Sequence, residues 1–306
     1  MTRKVIHQTF GGPEVLEVHE IEIPEVSEGK LRVRVVAAAL NPVDWKVTSS
    51  EEIGKAFGVS LPAGFGNDFA GVIDEVGPGV EGFSVGDRVY GGARGHAVAD
   101  YVVVEPGKDA LAHTPEGIDH ATASTLLIAG RTADAALDVI GIKDGDTVLI
   151  GGAAGGVGVF AVQLARHFGA RVIGTASPAS FEFLRSLGAE PVAYGDGLGE
   201  RVREIAPDGI TAATDLHGTE VMNTALELGV PAERISTITV ASPPPGVRGT
   251  GGGGATPRAL EKITDLILSG DLVVPIEATY AIEQVREAVV RQSKGHVKGK
   301  IVITLT

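Results

Sequence analysis

Residues 150–158 read IGGAAGGVG, with five glycines and two alanines among nine positions. A chain gives up side chains on this scale where a ligand or another backbone must come close. The positions of a G-x-G-x-x-G fingerprint fall on Ala153, Gly155 and Gly158. Gly155 lets the backbone approach a pyrophosphate, and Gly158 lets the following helix lie close on the preceding strand. Ala154, Gly156 and Val157 complete the turn, and the N–H groups of the helix N-terminus hold the negative charge. The first glycine of the fingerprint is replaced by alanine. In NAD sites an acidic residue ends the next strand and binds the ribose 2′-hydroxyl. Here that strand ends Gly174-Thr175-Ala176-Ser177, with Ala176 at the acidic position. A carboxylate would repel a 2′-phosphate; its absence leaves room for one, and Ser177 and Ser180 offer hydroxyl donors. Ser177 is also placed to cap a helix. The chemistry indicated is dinucleotide binding, with NADPH favoured over NADH.

Metal chemistry is not indicated. The chain has no Cys, which removes disulfides, thiol nucleophiles and thiolate metal sites together. Its eight His residues are scattered, with no H-x-H or H-E-x-x-H spacing, so no metal site is expected.

A glycine turn of this kind needs a strand before it and a helix after it. TVLIG at 147–151 is an apolar run without alternation, as expected of a parallel strand covered on both faces. Val157, Ala161, Leu164, Ala165 and Phe168 then fall on one helical face, and Gly169 follows where a helix C-terminus favours glycine. RVIGTA is the next strand, and Ser177-Pro178 opens the next helix. Strand-like PVAY, ITAAT and RISTITV follow, separated by helical segments. Residues 122–270 therefore read as an α/β, doubly wound parallel-sheet domain of Rossmann type. Residues 1–121 read as β-rich, with runs such as KLRVRVVAAA and GVIDEV divided by turn signals. The tail, 271–306, returns to β character with one amphipathic helix near IEQVREAVVRQ, and is expected to complete the first domain.

A chain of 306 residues suits two domains, and 43% hydrophobic with 21% charged residues suits a packed protein. The formal net charge of −13 disfavours nucleic acid as a partner. Residues 147–165 carry no charge and are long enough to span a bilayer, but clustered glycines argue for a buried strand, turn and helix instead. No membrane association is expected. The N-terminal MTRKVIHQTF has no apolar h-region, so a cytoplasmic location is expected.

Four stretches carry a family resemblance: AALNPVDWK at 38–46, PAGFGNDFAGVIDEVGPGVEGFSVGDRVYG at 62–91, AAGGVG at 153–158 and HVKGKIVITL at 296–305. In this order they resemble the medium-chain dehydrogenase/reductase superfamily, in its zinc-free NADPH:quinone oxidoreductase and enone reductase branch. The resemblance implies a GroES-like catalytic domain with a Rossmann domain, an active site in the cleft between them, NADPH as hydride donor and a homodimer. It implies a quinone or an α,β-unsaturated carbonyl compound as substrate.

Residue by residue, the resemblance places Asn41 on the nicotinamide side, and Thr132, in AGRTA, against the nicotinamide half of the cofactor. Arg131 is unusual beside it. Tyr194 matches a tyrosine that touches the 2′-phosphate. The basic residue that often accompanies it is missing, with Ala179 near that position. Lys46 matches a lysine that helps hold the nicotinamide and the substrate oxygen; the alternative is an exposed lysine at a strand end. Lys46 and Asn41 are the expected catalytic pair, while Asp44 is expected to anchor the loop rather than move a proton. Trp45, Phe57, Phe65 and the loop 246–254 are candidates for lining the substrate pocket. Zinc-dependent relatives carry Cys near Asn41 and His near Asn67, and neither is present. Two other readings are an enoyl-thioester reductase of polyketide or fatty-acid type, and a non-enzymatic relative that kept the cofactor fold.

Overall fold

A computed structural model describes residues 1–305. They form two compact units: one holds Met1–Leu127, Ile276–Gly295 and the chain from Lys300 onward, the other Ile128–Pro275 and His296–Gly299.

In the first unit the elements run β1 (Thr2–His7), β2 (Glu17–Ile21), β3 (Leu31–Leu40), α1 (Pro42–Ser49), α2 (Glu51–Ala56), β4 (Ala63–Gly64), β5 (Asp68–Val76), β6 (Arg88–Gly92), β7 (Tyr101–Val104), β8 (Leu111–His113) and α3 (His120–Ser124). After the second unit come β15 (Ile276–Ala281), α10 (Val285–Ser293) and β16 (Lys300–Thr304). Strand β3 organises the main sheet. Leu31, Val33 and Val35 are buried, while Arg32 and Arg34 point to the wetter face, the alternation of a half-covered strand. From Ala37 to Leu40 every residue is buried. One edge of β3 pairs antiparallel with β5. The other is shared by β7, along Leu31–Arg34, and by β16, along Ala37–Leu40. This pairing brings the start of β16 beside the end of β3, where α1 begins.

The second unit carries α4 (Arg131–Asp138), β9 (Thr147–Gly151), α5 (Gly158–His167), β10 (Arg171–Ala176), α6 (Phe181–Ser186), β11 (Glu190–Ala193), α7 (Leu198–Ile205), β12 (Ala212–Asp215), α8 (Glu220–Glu227), β13 (Ile235–Thr237), β14 (Arg248–Gly249) and α9 (Ala259–Ser269). Its sheet is wholly parallel, in the order β11-β10-β9-β12-β13-β14. This is the doubly wound order, and it reverses between β9 and β12. Leu149, Ile173, Ala213 and Ile235 bring four neighbouring strands into one core with Val202, Val221 and Met222. The uncharged run at 147–165 is thus strand, turn and a helix buried from Gly158 to Ala165. No helix among the described residues is long and apolar enough to cross a membrane.

Three local expectations change. Ser177-Pro178 opens a short 3-10 turn, Pro178–Ser180, and the α-helix begins only at Phe181. The Ser180 N–H closes that turn on the Ser177 carbonyl at 2.8 Å, and the Ser177 side chain makes no capping bond. RISTITV yields strand only over Ile235–Thr237. Phe65 is a core residue, 1% exposed, and not a free pocket wall.

Candidate functional site

The glycine turn sits at the carboxyl end of β9. Gly152 adopts φ +66°, so it makes the tight turn that the fingerprint normally gives to its first glycine. Ala153 can therefore be alanine. It is fully buried, and its methyl lies where a side chain at Gly174 of β10 would stand, 2.8 Å from that position. The Gly155 N–H donates to the Gly152 carbonyl at 3.0 Å. A Cβ on Gly158 would lie 2.3 Å from the Gly152 oxygen and 2.4 Å from the Ala153 oxygen, so only glycine lets α5 start here. A Cβ on Gly155 would lie 3.3 Å from the Gly152 oxygen, a tight contact but a far milder one than at Gly158, so crowding within the protein demands glycine much less here. Ala154, Gly155, Gly156 and Val157 remain partly exposed, and α5 has no side-chain N-cap. These amides and the positive helix end form a cradle that fits a pyrophosphate.

Strands β10 and β11 end side by side, with Ala176 paired to Ala193. Ser177 and Tyr194 therefore emerge next to each other. No carboxylate ends β10; Ala176 is buried, and the Ser177 hydroxyl is not engaged as a cap. Ser180 is 4% exposed and points inward. Tyr194 is 47% exposed, and its hydroxyl lies 3.1 Å from His296 Nε2. Arg201, which the sequence reading passed over, donates from Nε to the Ala193 carbonyl and from its terminal nitrogens to the carbonyls of Tyr194, Gly195 and Asp196. The donor set at these strand ends fits the adenosine side of a dinucleotide that carries a 2′-phosphate.

Thr132 lies in the first turn of α4 and is nearly buried, 3.3 Å from the place a Cβ on Gly252 would occupy. Asp134, two residues on, accepts from the Thr256 N–H and hydroxyl, both at 2.8 Å, and from Lys262 Nζ at 3.0 Å. That buried carboxylate ties the end of the glycine-rich loop to α4.

In the first unit the sequence-marked residues surround the start of α1. The Asn41 N–H donates to Asp44 Oδ2 at 2.7 Å, and Asn67 Nδ2 donates to the other oxygen of the same carboxylate. Asp44 is thus an anchor, reaching back from the third helical position as a capping residue does. Burial pushes its carboxyl up to about 6, against the pull of the Asn41 and Asn67 bonds and of the Lys300 charge. The Asn41 carboxamide is engaged at both ends. Its Nδ2 donates to Asp68 Oδ2 at 2.9 Å, and its Oδ1 accepts from Lys300 Nζ at 2.6 Å. Lys300 also donates to the Leu40 carbonyl at 3.1 Å. It is 2% exposed; burial pushes its ammonium pKa down, opposed by Asp68 and Asp44. Lys300 and Asp68 were missed by motif reading. A lysine opening the apolar strand KIVIT was the available signal, since lysine is almost never buried without partners.

Lys46 lies on α1 and not at a strand end, because Pro42 at the first helical position and the Asp44 anchor start a helix there. It is exposed, with Nζ 6.0 Å from the centre of the Trp45 ring. Trp45 is held from beneath: its indole N–H donates to Gln292 Oε1 at 3.0 Å, and Gln292 Nε2 donates to the Leu40 carbonyl at 3.1 Å. Phe57 is 46% exposed, beside Arg94. Among the described residues no group of three or more His, Cys, Asp or Glu stands close enough to hold a metal ion.

Comparison with known proteins agrees with this architecture. Residues 27–116 match the family model described as the alcohol dehydrogenase GroES-like domain, and 156–247 match that described as zinc-binding dehydrogenase. The chain is 33% identical to the chloroplastic NADPH-dependent alkenal/one oxidoreductase of Arabidopsis thaliana, over 97% of this chain and 78% of that protein. It is 32% identical to the quinone oxidoreductase of Pseudomonas aeruginosa, over 94% of this chain and 95% of the relative. The solved quinone oxidoreductase from Coxiella burnetii superposes with a TM-score of 0.88 at 29% identity, covering 100% of this chain and 99% of its own. With a doubly wound parallel sheet, a glycine turn at the carboxyl end of its first strand, and a GroES-like β unit, the chain belongs to the medium-chain dehydrogenase/reductase superfamily, in the quinone oxidoreductase branch.

Proposed function

We propose that the chain is an NADPH-dependent, zinc-independent reductase that adds hydride to quinones or to α,β-unsaturated carbonyl compounds. The observation that carries this reading is the bare-backbone cradle at Gly155–Gly158 together with a β10 terminus that lacks a carboxylate. The names of the alkenal/one and quinone oxidoreductase relatives support the acceptor class. Bound NADPH supplies the hydride. Ala154, Gly155, Gly156, Val157 and Gly158 hold its pyrophosphate, Ser177 and Tyr194 its adenosine side with Ser180 behind them, and Thr132 its nicotinamide half. The unit around Ile128–Pro275 is the cofactor-binding domain, and the unit around Met1–Leu127 is the catalytic domain.

Once hydride reaches the β-carbon of an enone, two electrons pass to the carbonyl oxygen as an enolate, and a proton from water completes the α-carbon. The chain must stabilise that oxygen with donors or a cation. Lys46 is the group assigned to it. Asn41 is already bonded to Asp68 and Lys300, so its role is to fix the backbone at the start of α1 and through it the placement of Lys46. We assign the protein to the cytoplasm as a homodimer.

The test is a panel of enones, quinones and enoyl thioesters scored by NADPH oxidation. Enone turnover in Lys46→Ala is expected to fall more than tenfold, about 1.4 kcal/mol of barrier or more, with NADPH still bound. Full enone activity in that variant removes Lys46 from the mechanism. A panel in which only thioesters react would assign the chain to the polyketide-type reductases instead, and no turnover at all would refute the reductase reading.

A further inference from the structure

Four consecutive glycines, Gly251–Gly254, lie beside the start of α4 in the second unit. Neither conformation nor crowding accounts for two of them. Gly251 is extended, with φ −173°, and Gly252–Gly254 form a short 3-10 turn, shapes that any residue can adopt. A Cβ on Gly251 or on Gly253 would meet nothing within 4 Å. Every other described glycine with that much room has a positive φ, which favours glycine by itself. Bare backbone that the fold does not need is what a ligand lying against the chain needs.

Two side chains with unused donors border this loop. Thr132 is 6% exposed, and its Oγ1 stands 3.3 Å from where a Cβ on Gly252 would be, with no hydrogen-bond partner among the described residues. The proposed function gives that hydroxyl to the nicotinamide half of NADPH. Arg131 precedes it and is half-buried, with its Cβ 3.7 Å from the same point. No described residue bonds to its guanidinium or pairs with it, in a chain of net charge −13. Its natural partner on α4 would be Asp134, three residues on. That carboxylate is 2% exposed and already accepts from Thr256 and Lys262.

We propose that Arg131, over the floor formed by Gly251–Gly254, selects an acceptor that carries a carboxylate: an anionic enone or quinone. The proposal rests on the reductase reading and names the substrate class of that same site. The anion is not the cofactor's own. The pyrophosphate has its cradle at the carboxyl end of β9, and the reduced nicotinamide ring is uncharged. Hydride transfer turns that ring into a cation. An unpaired guanidinium nearby opposes the step, and a carboxylate brought by the acceptor balances both positive charges. A guanidinium also takes a carboxylate through two parallel N–H···O bonds and lies flat on conjugated rings. The carboxylate is a spectator in the reaction: hydride still goes to the β-carbon, and water still supplies the proton.

The test uses matched acceptors on the full chain: benzylideneacetone against its para-carboxylate, and acetylacrylate against its methyl ester. The quantity read is the ratio of kcat/KM for the carboxylate to kcat/KM for its neutral partner, so the intrinsic reactivity of each pair cancels between variants. Arg131→Met is expected to lower that ratio on the order of tenfold to a hundredfold for at least one pair, with NADPH binding changed less than about twofold by calorimetry. Arg131→Lys should keep part of the ratio, because lysine retains the charge and loses the fork. The unmodified ratio should shrink as salt rises from about 0.05 to 0.5 M. Gly253→Ala should melt within a few degrees of the parent yet lose kcat/KM for both members of a pair, because its methyl occupies the floor. A ratio that Arg131→Met leaves unchanged in both pairs overturns the proposal. Loss of NADPH affinity in step with turnover overturns it as well, by giving the arginine to the cofactor. Parent-like kinetics in Gly253→Ala removes the loop from the site. An unmodified chain that turns over no acceptor at all refutes the reductase reading itself.

Discussion

Replacing Lys300 by methionine isolates the buried charge network under α1. Methionine has similar length and no polar atom, so the change removes one positive charge and two hydrogen bonds, to Asn41 Oδ1 at 2.6 Å and Leu40 O at 3.1 Å. Asn41 Oδ1, left without its donor, costs roughly 1–3 kcal/mol, while the Leu40 oxygen keeps its bond from Gln292 Nε2. Asp44 and Asp68, 1% and 0% exposed, lose their counter-charge, and deleting one partner of a buried charge pair costs about 3–5 kcal/mol. The two penalties overlap, because the Asn41 bond belongs to both. Removing the ammonium also relieves its own desolvation, which pushes the other way. The expected net loss at pH 7.5 is about 3–4 kcal/mol, or roughly 6–16 °C in the melting of the first unit. Acid should narrow it. The Asp44 carboxyl, already pushed up to about 6 by burial, rises further without Lys300. Its folded value then exceeds its unfolded value by more than in the parent, so the folded variant takes up protons earlier as pH falls. Stability gained per unit of acidification is therefore larger in the variant across the interval around and above 6, and the deficit shrinks by pH 5. Urea unfolding followed by fluorescence at pH 7.5 and 5 measures both quantities. A second substitution, Asp68→Asn in the Lys300→Met background, should restore 1 kcal/mol or more. A deficit below about 1 kcal/mol at pH 7.5, or one that grows on acidification, would refute the assignment of Lys300 as the network's cation.

The two glycines of the turn should separate by readout. Gly158→Ala sets a Cβ 2.3 Å from the Gly152 carbonyl and should lower stability by more than about 2 kcal/mol. Gly155→Ala, with its nearest neighbour at 3.3 Å, should keep the melting temperature within a few degrees yet weaken NADPH on the order of tenfold; thermal melts beside cofactor titrations distinguish them, and a reversed pattern contradicts the cradle. Elemental analysis of active protein is expected to find no stoichiometric zinc, and chelator treatment is expected to leave turnover unchanged.

The sequence made the second unit legible because its signals are local. TVLIG and RVIGTA became β9 and β10 residue for residue, since an apolar run closed by glycine or a turn leaves little choice of boundary. Ser177-Pro178 misled because proline satisfies a 3-10 turn as readily as the first turn of an α-helix, and here the Ser180 N–H closes the three-residue turn on the Ser177 carbonyl. The charge network was hidden for another reason. Asn41 and Lys300 are 259 residues apart, and nothing local announces that β16 runs antiparallel beside the end of β3. The same holds for Lys298 and Ala179, which meet across 119 residues. A basic residue absent from its own loop can be present in the fold, so a missing motif position is weak evidence of a missing charge.

Lys298 and Lys300 are separated by a single glycine, yet one reaches the strand ends of β10 and the other lies beneath α1. Gly299, with φ +83°, is the joint that sends them apart. Strand side chains alternate with a period of two, so one residue inserted or deleted here would turn Ile301–Thr304 over on β3 and exchange buried for exposed positions. The chain length between 296 and 300 is thereby fixed far more tightly than the identity of Val297. Among homologues, gaps should be absent from this stretch even where its letters drift, and a designer grafting this tail onto another member of the family must carry all five residues together.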